Sequence, residues 1–140
     1  MTEDEQTPTF EVPIERGKIR EFAAAIGSTS PRYRSADAVV PPTFLISSSF
    51  WTPPEAKPDI GFDRKRLLHG EQEYIFHGPP PRAGQVLRAA GRITDRYTRE
   101  GKRGGTMRFA VVVTEFRDEE GRLVAEQKST FIETAPKEAS

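Results

Sequence analysis

The feature that most constrains the fold is a short apolar segment in the first half of the chain, VVPPTFLISSSFW at positions 39–51. Pro41 and Pro42 can begin a helix there, because the first residues of a helix need no N–H donor. After them the only polar side chains are hydroxyls, which predicts a helix that is apolar nearly all round and therefore buried. Other elements must cover such a helix on every side.

Four predicted strands in the second half of the chain can provide this cover. Their segments alternate between apolar and polar residues, are separated by turns, and read HGEQEYIFHGPP, GQVLRAAGRITDRY, MRFAVVVTEF and RLVAEQKSTFIE. We expect about four strands in an antiparallel meander. In the second strand, alternation predicts one face with Leu87, Ala89, Ile93 and Tyr97 and an opposite face with Arg88, Arg92 and Arg96.

A first helix precedes these elements. Ile19, Phe22, Ala23 and Ile26 recur at helical spacing, and Gly27 follows as a stop signal. The whole pattern predicts an α+β protein, a single hot-dog domain over residues 10–135 in which a curled antiparallel sheet wraps around the buried central helix. Residues 1–9 and 136–140 are polar and are expected to be loose. The edge that one such sheet leaves open favours dimerisation.

Composition excludes several classes of function. The chain of 140 residues has 21 lysines and arginines and 21 aspartates and glutamates, so no net charge attracts nucleic acid or an anionic membrane. It has no cysteine and two histidines, which argues against a metal site, and no cofactor is expected. Its first residues are acidic and no apolar run reaches about 20 residues, so we expect a cytoplasmic protein.

Three segments carry a resemblance to a known family: FAAAIGSTSPRY, PPTFLISSSFW and LLHGEQEYIFHGPPPRAGQVLRAAGRITD. Together with the ending EEGRLVAEQKSTFI, they resemble the MaoC-like dehydratases, specifically the amino-terminal, non-catalytic type that includes the FAS1-like dehydratase domain. Similar chains are the supporting subunits of heterodimeric (3R)-hydroxyacyl-ACP dehydratases. The resemblance implies reversible hydration of a trans-2-enoyl thioester of CoA or of an acyl carrier protein.

The catalytic motif of that family is degenerate in this chain. Active members have a loop similar to GDxNPxH, and the segment GSTSPRY keeps its glycine and proline as Gly27 and Pro31. Ser28 stands where the aspartate belongs, Ser30 where the asparagine belongs, and Tyr33 where the histidine belongs. Hydroxyl groups stay protonated at neutral pH and cannot replace a carboxylate–imidazole pair as general base. We therefore expect no catalytic residue here and a partner chain that carries the aspartate and histidine.

The resemblance also implies candidate binding residues. Those for the acyl thioester are Thr43, Phe44, Ser47 and Trp51, on the helix that lines the acyl tunnel in that family. His69 does not stand at the motif position and is a separate candidate to contact the thioester or a partner chain. Core packing is the alternative for the two aromatic residues, and a polar surface position at a strand end is the alternative for the histidine. The neighbouring hydroxyls of Ser48 and Ser49 are expected to seek a partner or a cavity.

Arginines form a second candidate set. Arg82, Arg88 and Arg92 begin a segment, residues 82–108, with a net charge of about +6. A guanidinium group can donate two parallel hydrogen bonds to the oxygens of a phosphate or a carboxylate. We therefore expect these three arginines to contact CoA phosphates or an acidic carrier protein. A solvated outer face of the sheet is the alternative. Nucleic acid is disfavoured, because no aromatic residues alternate with the arginines.

Three functions therefore remain open. The first is the non-catalytic subunit of a (3R)-specific enoyl-CoA/ACP hydratase. The second is a homodimeric hot-dog thioesterase, for which Glu55 is the nearest carboxylate after the central helix. The third is an acyl-CoA-binding regulatory module that acts as a homodimer.

Overall fold

The computed structural model describes residues 6–136; the outer parts of the expected loose ends, 1–5 and 137–140, lie outside the described residues. Its strands are β1 (Phe10–Pro13), β2 (Leu67–Phe76), β3 (Val86–Glu100), β4 (Thr106–Arg117) and β5 (Leu123–Glu133). Its helices are α1 (Arg16–Ala25) and a 3-10 helix, Phe44–Phe50, here called the central helix. Single 3-10 turns lie at Pro31–Tyr33, Pro54–Ala56 and Arg64–Arg66.

The five strands form one antiparallel sheet in the order β1-β3-β4-β5-β2. The predicted meander is correct for β3, β4 and β5 but wrong for β2, which pairs with β5. The physical reason lies in the connection after β2. It contains three consecutive prolines, Pro79–Pro81, and is tied to an earlier segment by a bridge between Val39 and Arg82. The chain therefore crosses to the other side of the sheet instead of turning back.

The inner face of the sheet packs on α1 and on one side of the central helix. The core joins Val12 of β1, Ile19 of α1, Leu45 of the central helix, Leu87 of β3 and Phe116 of β4, all of which are buried. Burial of each large apolar side chain stabilises the fold by about 1.5–3 kcal/mol. The predicted α+β hot-dog class is confirmed.

The central helix differs from the prediction of a helix buried all round. Phe44, Leu45 and Ser48 are buried, whereas Ile46 is exposed and Phe50 is 85% exposed. In a 3-10 helix, residues three apart lie above one another, so only a narrow stripe can face the sheet. Ser49 and Trp51 of the same segment are exposed as well, whereas Val40 and Pro41 before the helix are buried.

A bulge in β3 changes the predicted faces of that strand. The register shifts between Ile93 and Asp95, so the residues beyond it turn to the opposite side. Tyr97 therefore leaves the face that it was predicted to share with Ile93 and stacks on Phe109, with ring centroids 4.7 Å apart. Arg96 moves the other way, and its Nη1 donates to the carbonyl of Ile60 at 2.9 Å.

The amino-terminal segment contains an anchor that the sequence did not indicate. Thr7 lies in the stretch expected to be loose, yet it is buried. Its N–H donates to the carbonyl of Gly91 at 2.8 Å, and its Oγ1 accepts from the Gly91 N–H at 2.9 Å. This anchor leads into β1, which the sequence also did not predict and which pairs with β3. The limits of 10–135 for the domain stay a prediction.

Helix α1 agrees with its predicted position and stop signal. Ile19 and Ala23 are buried on one side of it. Gly27 follows with a φ of 78°, a left-handed conformation that glycine adopts without steric cost. Within residues 6–136, no helix is both long enough and apolar enough to cross a membrane.

Replacing Thr7 with valine tests the anchor. The change keeps the shape of the side chain but leaves the buried Gly91 N–H without its acceptor, which costs about 1–3 kcal/mol. We expect a correspondingly lower free energy of unfolding in urea. Thr9→Val, at an exposed position in the same segment, is the control and should leave stability unchanged. Equal stability of both variants and the wild type would contradict the anchor.

Candidate functional site

A cleft of about 350 Å³ lies between the inner face of the sheet and the segment 46–60. Ser48 and Ser49 of the central helix form part of one wall. Gly91, Val112 and Thr114 line it from β3 and β4. At Gly91 the sheet approaches the loop above it closely, because a Cβ at this position would lie 3.3 Å from Cγ of Pro58.

Strand β5 provides the polar floor of the cleft. Gln127, Ser129 and Phe131 alternate along the strand, so all three side chains face the cleft. Gln127 is 9% exposed and Ser129 is 5% exposed. The Ser129 hydroxyl donates to Oε1 of Gln72 on β2 at 2.8 Å. In the described part of the chain, Oε1 of Gln127 and Nε2 of Gln72 have no hydrogen-bond partner.

A second bulge brings His69 into the cleft. The register of β2 shifts between His69 and Glu71, so the imidazole faces the cleft. His69 is nevertheless exposed, as are the two glutamates of this strand, Glu71 and Glu73. The ring meets Phe131 edge to face, with centroids 4.8 Å apart. His77 follows the other end of β2, and its Nε2 lies 2.7 Å from Oε2 of Glu126. The structure therefore separates the two histidines.

Tyr74 lies farther along the inner side of β2. It pairs with Gln127 across the strands and packs against the core. Burial raises the pKa of its phenol above the ordinary value of 10.0. The phenol therefore stays protonated at neutral pH and cannot act as a base.

The loop that forms the rim of the cleft is held in place by a carboxylate that lies outside the cleft. Lys57, Pro58 and Ile60 line the cleft, and Glu133, 4% exposed, fixes the chain just after them. Its side chain accepts from the N–H of Asp63 at 2.6 Å and from Nε of Arg108 at 2.8 Å. The Asp63 N–H first, and then Arg108, lower the pKa of Glu133 below its ordinary value of 4.5. The carboxylate is thus ionised at neutral pH.

The degenerate loop after α1 has local structural contacts. The N–H of Ser30 donates to Oγ of Ser28 at 3.3 Å, and Tyr33 is half-buried against the core. None of Ser28, Ser30 and Tyr33 lines the cleft. The three positions supply hydroxyl groups where the family motif has a carboxylate, an amide and an imidazole.

The predicted thioester contacts are divided between two places. His69 lies in the cleft, whereas Phe44, Ser47 and Trp51 line a second concavity of about 280 Å³ beside α1. Thr43 lines neither of them. Phe44 is buried and meets Phe22 edge to face at 5.5 Å, a core contact. Their roles as substrate contacts stay predictions.

Sequence reasoning missed the polar floor. Gln127, Ser129 and Thr114 were assigned no function, although the segment AEQKST offers polar residues on both faces of a strand. In a strand of a small antiparallel sheet, at least one face is ordinarily apolar. Because this segment of β5 has polar residues on both faces, the sequence did carry a signal that the inner face of the strand lines a polar site.

Each of the three candidate phosphate ligands has a carboxylate nearby. Arg82 lies 3.8 Å from Asp37 and Arg88 lies 4.0 Å from Glu11. Arg92 likewise lies 3.8 Å from Glu115. The first two are surface pairs, which contribute little to stability, whereas the Glu115 side chain is only 15% exposed. The excess positive charge of residues 82–108 is thus partly offset by acids from other elements, and phosphate binding stays a prediction.

Comparison with known proteins identifies the family. The family model for the FAS1-like dehydratase domain region matches residues 5–127. A UPF0336 protein of Saccharopolyspora erythraea is 36% identical over 137 residues, which cover 90% of this chain and 83% of the relative.

Solved structures show the same fold. The HadBC (3R-hydroxyacyl-ACP dehydratase) complex from Mycobacterium tuberculosis matches with a TM-score of 0.71 and 22% identity, over 94% of this chain and 99% of the other. The ChsH1–ChsH2 complex from Mycobacterium tuberculosis matches with a TM-score of 0.72 and 16% identity, over 96% and 86%. The fold is thus that of a hot-dog dehydratase domain, and the resemblance to MaoC-like dehydratases is confirmed. The chain belongs to the FAS1-like dehydratase domain family.

Acid titration of a Glu133→Gln variant tests the loop clamp. Folding lowers the pKa of Glu133 below its ordinary value of 4.5. The stability that its carboxylate contributes is therefore present above pH 4.5 and is lost as the pH falls through the folded-state pKa. We expect the variant to melt several degrees below the wild type at neutral pH. The difference should shrink in acid well below pH 4.5, where the wild-type carboxylate is protonated.

The control for this variant is Glu120→Gln. Glu120 is exposed, and within residues 6–136 its carboxylate pairs with the exposed Arg122. The same change of charge should therefore leave the melting temperature nearly unchanged. A gap between Glu133→Gln and the wild type that stays constant from neutral to acid pH would contradict the clamp.

Proposed function

We propose that the chain is the non-catalytic, acyl-binding subunit of a (3R)-specific hydratase or dehydratase that acts on enoyl thioesters of CoA or of an acyl carrier protein. The observation that carries the proposal is a family fold with a cleft but with hydroxyls at the three motif positions, Ser28, Ser30 and Tyr33. The names of the two similar structures, HadBC and ChsH1–ChsH2, describe complexes of two components. This supports a partner chain.

The chemistry explains the need for a partner. Adding water to an enoyl thioester needs a base close to the water and hydrogen-bond donors at the developing enolate oxygen. In the proposed division of work, the partner supplies the aspartate and histidine. This chain supplies part of the wall around the acyl group, with candidate contacts at Thr43, Phe44, Ser47, Trp51 and His69. Arg82, Arg88 and Arg92 are the candidate contacts to CoA or carrier phosphates.

Surface features support pairing with another hot-dog chain. In the described sheet, β2 is an edge strand of ten residues, and an open edge of this length favours pairing with a further strand. Leu68 and Ile75 on this strand are exposed, as is Phe50 of the central helix. A partner that covers these side chains would remove apolar surface from water.

The structure gives less support to the alternative functions. Glu55, the candidate carboxylate of a thioesterase, is exposed and does not line the cleft, although the next two residues do. The homodimeric acyl-CoA-binding module is the second candidate, because a cleft without catalytic groups suits it equally well. Activity in the presence of a catalytic partner separates it from the leading proposal.

Hydration of a short trans-2-enoyl-CoA tests the missing catalytic pair. We expect the pure chain to be slower than its complex with a motif-bearing partner by about 10²- to 10⁴-fold, the contribution of general acid–base catalysis. The measurement is the loss of enoyl absorbance. A partner whose motif histidine is replaced should give no rescue. Turnover at an ordinary enzymatic rate by this chain alone would contradict the proposal.

The two histidines provide a matched test of the cleft. His69→Ala removes a side chain that lines the cleft, so we expect about 2- to 10-fold weaker binding of an acyl-CoA, equivalent to one hydrogen bond. His77→Ala removes the same side chain outside the cleft and should leave affinity unchanged. The measurement is the dissociation constant by calorimetry. Equal loss in both variants would indicate a general effect on folding instead of a contact.

A further inference from the structure

The unpaired amide of Gln127 is the most unusual group in the cleft. A buried amide without a hydrogen-bond partner costs about 1–3 kcal/mol, and most buried polar groups in proteins are paired. Gln127 is 9% exposed, its Oε1 has no partner in the described part of the chain, and its side chain lines the cleft. A group of this kind is expected where a ligand completes the hydrogen bonding.

Ser129 presents the same hydrogen-bonding character beside it. Its hydroxyl proton is directed to Oε1 of Gln72 at 2.8 Å, so the oxygen keeps its lone pairs for another donor. Ser129 also lines the cleft and is 5% exposed. Two residues apart on β5, the two side chains place two acceptors on the same face of the strand.

The charge around this floor defines the ligand group further. Among residues 6–136, no aspartate or glutamate lines the cleft, whereas Lys57 and His69 do. A cationic donor such as an ammonium group would therefore lack a counter-charge. Two acceptors without a carboxylate match a neutral donor, which is a hydroxyl or an amide N–H.

We propose that Gln127 and Ser129, with Gln72 as a positioning residue, form a polar subsite in the cleft that binds a neutral hydroxyl or amide N–H of the ligand. The proposal rests on the proposed function and deepens it, because it predicts that the part of the acyl thioester that reaches this depth carries a hydrogen-bond donor. The donor has two possible sources: a hydroxyl on the acyl chain, or an amide of the pantetheine arm. A structural role for Gln127 is the opposing explanation.

Calorimetry on the full chain can distinguish these sources. The probes are octanoyl-CoA, a series of hydroxyoctanoyl-CoA isomers with the hydroxyl moved along the chain, and CoA alone. We expect wild type to bind one hydroxylated isomer about tenfold tighter than octanoyl-CoA, the effect of one well-made hydrogen bond in a buried site. Gln127→Met keeps the length of the side chain. In this variant the affinities for the hydroxylated isomer and for octanoyl-CoA should differ by no more than about twofold.

The pantetheine source gives a different pattern. In that case Gln127→Met weakens octanoyl-CoA and CoA alone by the same factor of about ten, and the hydroxyl position has no effect. Lys128→Met introduces the same residue at the next position, on the opposite and exposed face of β5. It should bind every probe as the wild type does. Probes that bind equally to wild type and Gln127→Met, or that bind to neither, overturn the subsite.

Thermal unfolding without ligand provides a second, independent readout. Because the amide is unpaired, methionine at position 127 should raise the melting temperature, by about 3 °C, while it weakens binding. Lys128→Met should not raise it. A lower melting temperature for Gln127→Met would show that Gln127 stabilises the fold, and it would overturn the proposal. Neither readout needs a catalytic partner, so these results are independent of whether hydration is rescued.

Discussion

The structure depends on one pairing arrangement, the placement of β5 between β4 and β2. From this position, alternate residues of a single strand perform different tasks. Ala125 joins the core, Gln127 and Ser129 form the cleft floor, and the carboxylate of Glu133 holds the loop at the rim. A shift of one residue in this register would turn all of them to the outer face. The cleft is therefore a consequence of strand register.

The short central helix is the second condition for the cleft. A longer α-helix would lay a wider apolar face on the sheet, whereas this seven-residue 3-10 helix covers it only with a narrow stripe. The small side chains of Ser48 and Ser49 line the cleft and leave further space. The same shortness leaves Phe50 on the surface. The cleft and the exposed apolar surface thus have one structural cause, and in the proposed function both suit a subunit that works with another chain.

How far the sequence predicts this molecule depends on the kind of signal. The position of α1 was predictable from its periodicity and from the stop at Gly27. The hot-dog class was predictable from the alternation of the strands and the apolar central segment, although that segment is only partly buried. The crossing of β2 to β5 was not, since strand order depends on long-range pairing that alternation cannot encode. The two bulges, which reorient Tyr97 and bring His69 into the cleft, left no signal in the alternation. Similarly, Gln127 is recognised as unusual only when its missing hydrogen bond is visible.

The most direct test of the supporting-subunit account is a titration. A hot-dog chain that carries the aspartate–histidine motif, from the same genome, is held at constant concentration while this chain is added and enoyl-CoA hydration is measured. The account predicts a rate that rises with added chain and saturates when the two are equimolar. A rate that ignores the added chain, or that grows in proportion to it without the motif-bearing partner, would contradict the account.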